Sequence, residues 1–178
     1  VPISSGLFCS GHATMSNGEL LVMGGHTPTA AGIKDVNVFN PITKSWTKKP
    51  DMQIARWYPS VTQMPDNRMV TFSGQVTQGT FTNTPEIYSP QTGVSSTVPI
   101  STTQLREIQY PQTSVLPNGK ILAISAEHGS IMTFDPSTSA WVNVGTTQVP
   151  YGVWTSFAPG KYLITGGGNT FTDYHDRA

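Results

Sequence analysis

Cysteine is all but absent, since Cys9 is the only one in 178 residues. That excludes an internal disulfide. Charge is scarce as well: Asp, Glu, Lys and Arg make up 11% of the chain, against about 25% in an average domain. Ten basic and ten acidic residues cancel, so nothing indicates a nucleic acid or an acidic membrane as partner. No apolar run approaches the roughly 18 residues a membrane span needs. No sustained helical period with caps is present, and no N-x-[ST] sequon occurs. The chain opens at Val1 with neither a methionine nor a signal peptide, so a processed or partial sequence is expected. Ser, Thr, Gly and Pro take the place of the missing charges, which fits a secreted, extracellular β-protein.

What the chain does have is repetition. "HATMSNGELLVMGG", "PSVTQMPDNRMVTFSG" and "PQTSVLPNGKILAIS" align, and "WTSFAPGKYLITGGG" follows with one turn residue fewer. Each reads as a short strand, a two-residue turn and a more apolar strand. The turn positions Gly18, Asn67, Gly119 and Gly160 are separated by 49, 52 and 41 residues. A second motif keeps the same phase: "VNVFNPITKSWT", "PEIYSPQTGVSS" and "IMTFDPSTSAWV", with Pro41, Pro90 and Pro136 at steps of 49 and 46. Two motifs in phase at this period indicate an array of four-stranded β-blades. Gly and Asn at the turn positions tolerate the positive φ that tight hairpins require.

The strand chemistry agrees. "ELLVMGG", "RMVTFSG", "KILAIS" and "KYLITGG" suit inner strands buried on both faces, with Gly or Ser where sheets crowd near an axis. Trp46 and Trp141 fall on outer strands. Inter-sheet packing accounts for most Trp, Tyr and Met on such strands. The expected blades span 12–50, 58–99, 110–145 and an incomplete 152–178. At roughly 45 residues per blade that is about three and a half blades, whereas closed propellers have about 4–8. The remainder of the propeller is therefore expected from more of the same polypeptide or from another chain. The fold class is all-β: a kelch-type β-propeller, with part of a seven-bladed ring present.

Several motifs here are similar to those of the copper-radical oxidase group, which includes galactose oxidase and glyoxal oxidase. They are "FCSGHATMSNGELLVMGG", "DMQIARWYPSVTQMPDNRMVTFSG" and "PEIYSP". "ARWYPS" looks closer to the glyoxal-oxidase branch. The resemblance implies a thioether between Cys9 and the ring of Tyr58. It implies Tyr58 as copper ligand and radical carrier, Cys9 as its tuning substituent, and copper with the Cys–Tyr thioether radical as cofactors. It implies oxidation of a small alcohol, aldehyde or carbohydrate substrate, with O2 reduced to H2O2. The chemistry is coherent. Two-electron oxidation needs two one-electron stores, and a copper ion and a phenoxyl radical provide them. A thioether ortho to the phenol oxygen donates electron density and eases its oxidation. Imidazole and phenolate suit tetragonal Cu(II).

The chain also departs from that pattern. The group's later Tyr-His pair and final His ligand have no counterpart here. Tyr110 stands at the matching turn of the third blade, but Pro111 holds the histidine place, so Tyr110 reads as an echo and not a ligand. Tyr174 and His175 lie in "DYHDRA" with no apolar strand after them. Galactose oxidase stacks a Trp over its thioether from the position of Val76, and Trp57 is a substitute candidate. The chain alone thus holds an incomplete copper site. His12 reads as a metal ligand or as a hydrogen-bonded blade histidine. His26 and His128 follow inner strands without ligand partners at useful spacing. Arg56 reads as an anion holder, a tuner of Tyr58, or a structural tie. The alternative functions are a non-catalytic kelch propeller binding protein or glycan, and a structural component of an extracellular assembly.

Overall fold

The computed structural model of the protein describes residues 2–99, 109–125, 127–170 and 173–174. Every regular element among them is a β-strand. β1 (Gly11–Thr14), β2 (Leu20–Met23), β3 (Val36–Asn40) and β4 (Ser45–Lys49) form one antiparallel sheet in sequence order. β5 (Ser60–Gln63) and β6 (Met69–Phe72) begin the second sheet. A hairpin, β7 (Gln75–Thr77) and β8 (Thr80–Phe81), then leaves it before β9 (Glu86–Ser89) and β10 (Val94–Thr97) complete it. β11 (Gln112–Val115), β12 (Ile121–Ile124), β13 (Ser130–Asp135) and β14 (Ala140–Thr146) make the third. β15 (Val153–Ala158) pairs with β16 (Lys161–Thr165), and β17 (Gly168–Thr170) with β18 (Asp173–Tyr174).

The hairpin loops differ from the expected two-residue turns in the first three sheets. Met15 N–H donates to Glu19 O and Gly18 N–H to Met15 O, at 2.8 and 2.9 Å, leaving three residues in the loop. Met64 to Arg68 and Leu116 to Lys120 repeat the arrangement. A type I turn followed by one left-handed residue closes such a loop. That residue is Gly18, Asn67 or Gly119, with φ of 83°, 67° and 80°. The fourth hairpin pairs Ala158 with Lys161 across Pro159–Gly160, so its loop is one residue shorter. The "NP", "SP" and "DP" motifs also serve one geometry. Each opens a loop between third and fourth strands that ends on a left-handed residue: Lys44, Gly93 or Ser139.

Burial falls on the second strand of each complete sheet, not the first. Leu21, Met23, Met69, Val70, Phe72, Ile121 and Ala123 are buried. One apolar layer, including Met23, Val36, Met69 and Tyr88, lies between the first and second sheets. Another, including Phe72, Ile121, Phe134 and Trp141, lies between the second and third. The first strands stand side by side instead, β1 against β5 and β5 against β11. On the last pair, Val153, Phe157 and Leu163 are exposed on the face away from the third sheet.

One buried ion pair fixes the approach to β5. The Arg56 guanidinium and Glu86 carboxylate are both fully buried, 3.1 Å apart. Burial works against the Arg56 charge, and Glu86 offsets it. Arg56 also donates to Ser73 O at 2.7 Å and Thr84 O at 2.6 Å. Glu86 accepts the Gln53 and Ile54 N–H groups at 2.8 and 3.0 Å. Of the roles open to Arg56, the structural tie is the one these contacts describe.

Removing one partner of such a pair leaves an uncompensated buried charge. Glu86→Ala is expected to lower the unfolding free energy by about 3–5 kcal/mol in urea titrations. Arg56→Met with Glu86→Leu recovers only part of that loss, because the Gln53 and Ile54 N–H groups stay unpaired at about 1–3 kcal/mol each. Full recovery by the apolar pair would show that Glu86 does not hold the 53–54 turn.

Candidate functional site

Cys9, Tyr58, Tyr110 and Tyr151 occupy one repeated place, two residues before β1, β5, β11 and β15. All four have left-handed backbones, with φ of 54°, 63°, 46° and 57°. Non-glycine residues rarely adopt that conformation, and holding it costs on the order of 1–3 kcal/mol each. The surrounding hydrogen bonds enforce it. Tyr58 N–H donates to Cys9 O at 2.9 Å, and Tyr110 N–H donates to Tyr58 O at 2.9 Å. These three blade starts thus form a collar linked residue to residue.

The segment Arg56–Tyr58 is held on all sides. Arg56 N–H donates to Ile33 O and Gly25 N–H to Arg56 O. Trp57 exchanges both backbone bonds with Gln75, at 2.8 and 2.6 Å. The β7–β8 hairpin therefore serves as a clamp that bridges the 26–33 loop of the first sheet and the lead into β5. Glycine is required at the contact. A Cβ on Gly32 would lie 2.8 Å from the Arg56 backbone, and one on Gly11 would lie 2.6 Å from Pro59 O.

Side chains converge where the backbone does. The Tyr58 and Tyr110 rings meet edge to face, with centroids 5.3 Å apart at 89°. Trp57 lies against Tyr58 at 4.5 Å and 32°. The stacked ring on Tyr58 thus comes from the preceding residue, while Val76 sits in β7 and accepts Gly32 N–H. Cys9 is a half-buried free thiol. Burial pushes the Tyr58 phenol above its ordinary value, and a side-chain hydrogen bond with Cys9 pushes the same way. Tyr110 is raised further, by burial first and then by Cys9 and Tyr58. Cys9 thus acts on both phenols in the same direction.

A cavity of about 220 Å³ opens beside this collar, lined by Ser10, His12, Ser60, Val61, Tyr110 and Thr113 among others. His12 lies on β1 with an exposed side chain facing it, and His128 is exposed elsewhere. His26 sits in the ring row described below, and His175 lies outside the described residues. Among the described residues no group of three His, Cys, Asp or Glu side chains is placed to hold a metal. Sequence reasoning missed the clamp and the contact of Tyr110 with Tyr58. The tyrosine repeated before β5, β11 and β15 was the available signal for the second.

The raised phenols give a testable sign. Their neutral forms are favoured in the folded state. The linked stability is fully present below about pH 10, the ordinary phenol value, and is lost as pH rises through the folded values. Melting temperature is expected to fall above about pH 10, and less steeply in Tyr58→Phe/Tyr110→Phe. Equal slopes for the two proteins would rule out the shared burial of these phenols.

A Kelch motif profile matches residues 8–53. Two galactose oxidases from Gibberella zeae, one from strain PH-1, are each 33% identical to this chain over 93 residues. That match covers 52% of this chain and 13% of either relative. A solved fungal alcohol oxidase, described as having catalytic diversity among the AA5 family and in complex with copper, superposes with a TM-score of 0.70 at 19% identity. The superposition covers 92% of this chain and 36% of that one. Motif, sheet order and structural likeness agree: this chain is part of a kelch β-propeller with a copper-radical oxidase-like fold.

Proposed function

We propose that this chain contributes the thiol–phenol half of a copper-radical centre, in a secreted oxidase of primary alcohols or aldehydes that turns O2 into H2O2. One observation carries the reading: Cys9 and Tyr58 occupy equivalent left-handed positions ahead of consecutive sheets, joined by a 2.9 Å backbone hydrogen bond. A binding module has no use for that pairing. The sheets are read as blades over 12–50, 58–99, 110–145 and 152–178. The exposed Val153, Phe157 and Leu163 give the rest of the ring an apolar face to pack on.

The donor set tests the cofactor. A phenol and an adjacent thiol suit a thioether-modified copper ligand. The described residues offer no further metal cluster, so the remaining ligands belong to the rest of the protein. Bound copper would supply the second one-electron store. The chain's own residues do the remainder. Cys9 and Tyr58 join by losing two hydrogens: the S–H and a ring C–H break, a C–S bond forms, and two electrons and two protons pass to O2 as H2O2. Trp57 covers one face of the Tyr58 ring, and the clamp fixes the phenol. The small cavity beside the collar admits substrate of limited size.

The test uses the full-length protein carrying these residues, prepared copper-free and then given Cu(II) and air. Peptide mass spectrometry is expected to find the Cys9 and Tyr58 peptides joined and two hydrogens lighter. H2O2 release from primary alcohols or aldehydes should fall at least about 100-fold in Tyr58→Phe, a loss of roughly 2.7 kcal/mol of transition-state stabilisation. Separate peptides together with no peroxide would reject the oxidase and leave a kelch binding or structural module.

A further inference from the structure

Five aromatic rings run in contact from the surface to the collar. Phe8, 62% exposed, meets His26 at 5.0 Å. His26 meets Trp57 at 5.2 Å, Trp57 meets Tyr58 at 4.5 Å, and Tyr58 meets Tyr110 at 5.3 Å. Two atoms in this row are anomalous. Trp57 Nε1 and His26 Nδ1 are buried with no hydrogen-bond partner among the described residues. Each such orphan costs about 1–3 kcal/mol, and native proteins keep few of them. Packing requires a nitrogen at neither position. The two are complementary, because an indole N–H only donates and a neutral imidazole nitrogen accepts. They sit on neighbouring rings, with centroids 5.2 Å apart.

We propose that Trp57 and His26 form a proton-coupled redox relay between Tyr58 and a small outer-sphere one-electron oxidant at the surface. The oxidant takes one electron from the partly exposed Trp57 indole. The indole radical cation is acidic, and its Nε1 proton passes over an intervening water to His26 Nδ1. The neutral Trp57 radical then takes one electron from the Tyr58 ring in contact with it and regains its proton from His26. The phenol proton leaves to solvent, which the half-buried Tyr58 reaches. In sum, Tyr58 loses one electron and one proton, and the oxidant gains the electron. Trp57 and His26 return to their starting states. The stack thus has a purpose beyond covering the ring. It lets Tyr58 be oxidised or reset without an oxidant entering the substrate cavity.

The relay rests on the reading of Tyr58 as a redox-active phenol, but its test needs neither copper nor the thioether. Copper-free full-length protein is oxidised by flash-generated ruthenium(III) tris-bipyridine and followed by transient absorption. Trp46, Trp141 and Trp154 lie outside the row and give a background common to all variants. In the wild type a neutral tryptophanyl signal is expected to decay as a tyrosyl signal rises. Tyr58→Phe should lengthen the tryptophanyl lifetime at least about tenfold. His26→Phe, which keeps a ring and removes the nitrogen, should leave the Trp57 radical as its cation. Trp57→Phe should slow the tyrosyl rise at least about tenfold. An unchanged tryptophanyl decay in Tyr58→Phe overturns the relay, as does an unchanged tyrosyl rise in a folded Trp57→Phe. If Trp57→Phe does not fold, Tyr58→Phe decides, since it leaves both relay residues in place. Separate Cys9 and Tyr58 peptides together with no peroxide would sink the oxidase reading, while these transients would still stand or fall on their own.

Discussion

The three residues Arg56, Trp57 and Tyr58 have no free backbone. Each N–H and each C=O is bonded to a different part of the fold: Ile33 and Gly25 in the first sheet's loop, Gln75 in the hairpin, and Cys9 and Tyr110 in the neighbouring blade starts. A segment bonded in this way cannot shift without breaking several contacts at once, and each is worth about 1 kcal/mol net. The left-handed backbone of Tyr58 persists because it is over-determined. The Arg56–Glu86 pair acts on the same segment from inside the second sheet. Glu86 holds the preceding turn, so the ion pair specifies the path of the chain into β5.

Around the collar the scaffold is constant and the chemistry is not. The same backbone device presents a thiol at Cys9 and phenols at Tyr58, Tyr110 and Tyr151. A repeat fold can therefore change what its axis does by changing one side chain per blade, with no change in the sheets. The consequence is that a reactive pair needs residues from two consecutive blades. Neither Cys9 nor Tyr58 could form the pair within its own sheet.

This division explains what was legible in the sequence. The repeats were, because turn chemistry is local: Gly18, Asn67 and Gly119 take the positive φ their positions suggested. The loop length around them was misjudged by one residue, since two- and three-residue hairpins share the same Asn-Gly signature. The buried strands were legible as the apolar second strand of each repeat, but their reading as inner strands was not borne out, because periodicity gives burial without order across the sheet and it is the first strands that stand side by side. The β7–β8 clamp was invisible. Its strands are two or three residues long, and its partners at residues 30–32 lie more than 40 residues back in the chain. Trp57 was legible only as a candidate for the ring against Tyr58, and the structure places it there. Adjacent residues on a regular strand face opposite ways, and only the left-handed turn at Tyr58 brings the two rings together.

A bond between Cys9 and Tyr58 would also be structural. It would close a loop of 49 residues between two blades. By the loop-entropy relation for cross-links such closure stabilises the folded state by about 4 kcal/mol. The backbones it would join are already hydrogen-bonded. The redox role and the mechanical role are then separable in kind. Tying the two blades needs only the bond. Oxidising a substrate needs the ring it modifies, the stack over that ring and a route for electrons. The clamp on Arg56–Tyr58 would serve both, since a phenol held still is the better target for such a bond and the better electron donor once it had formed.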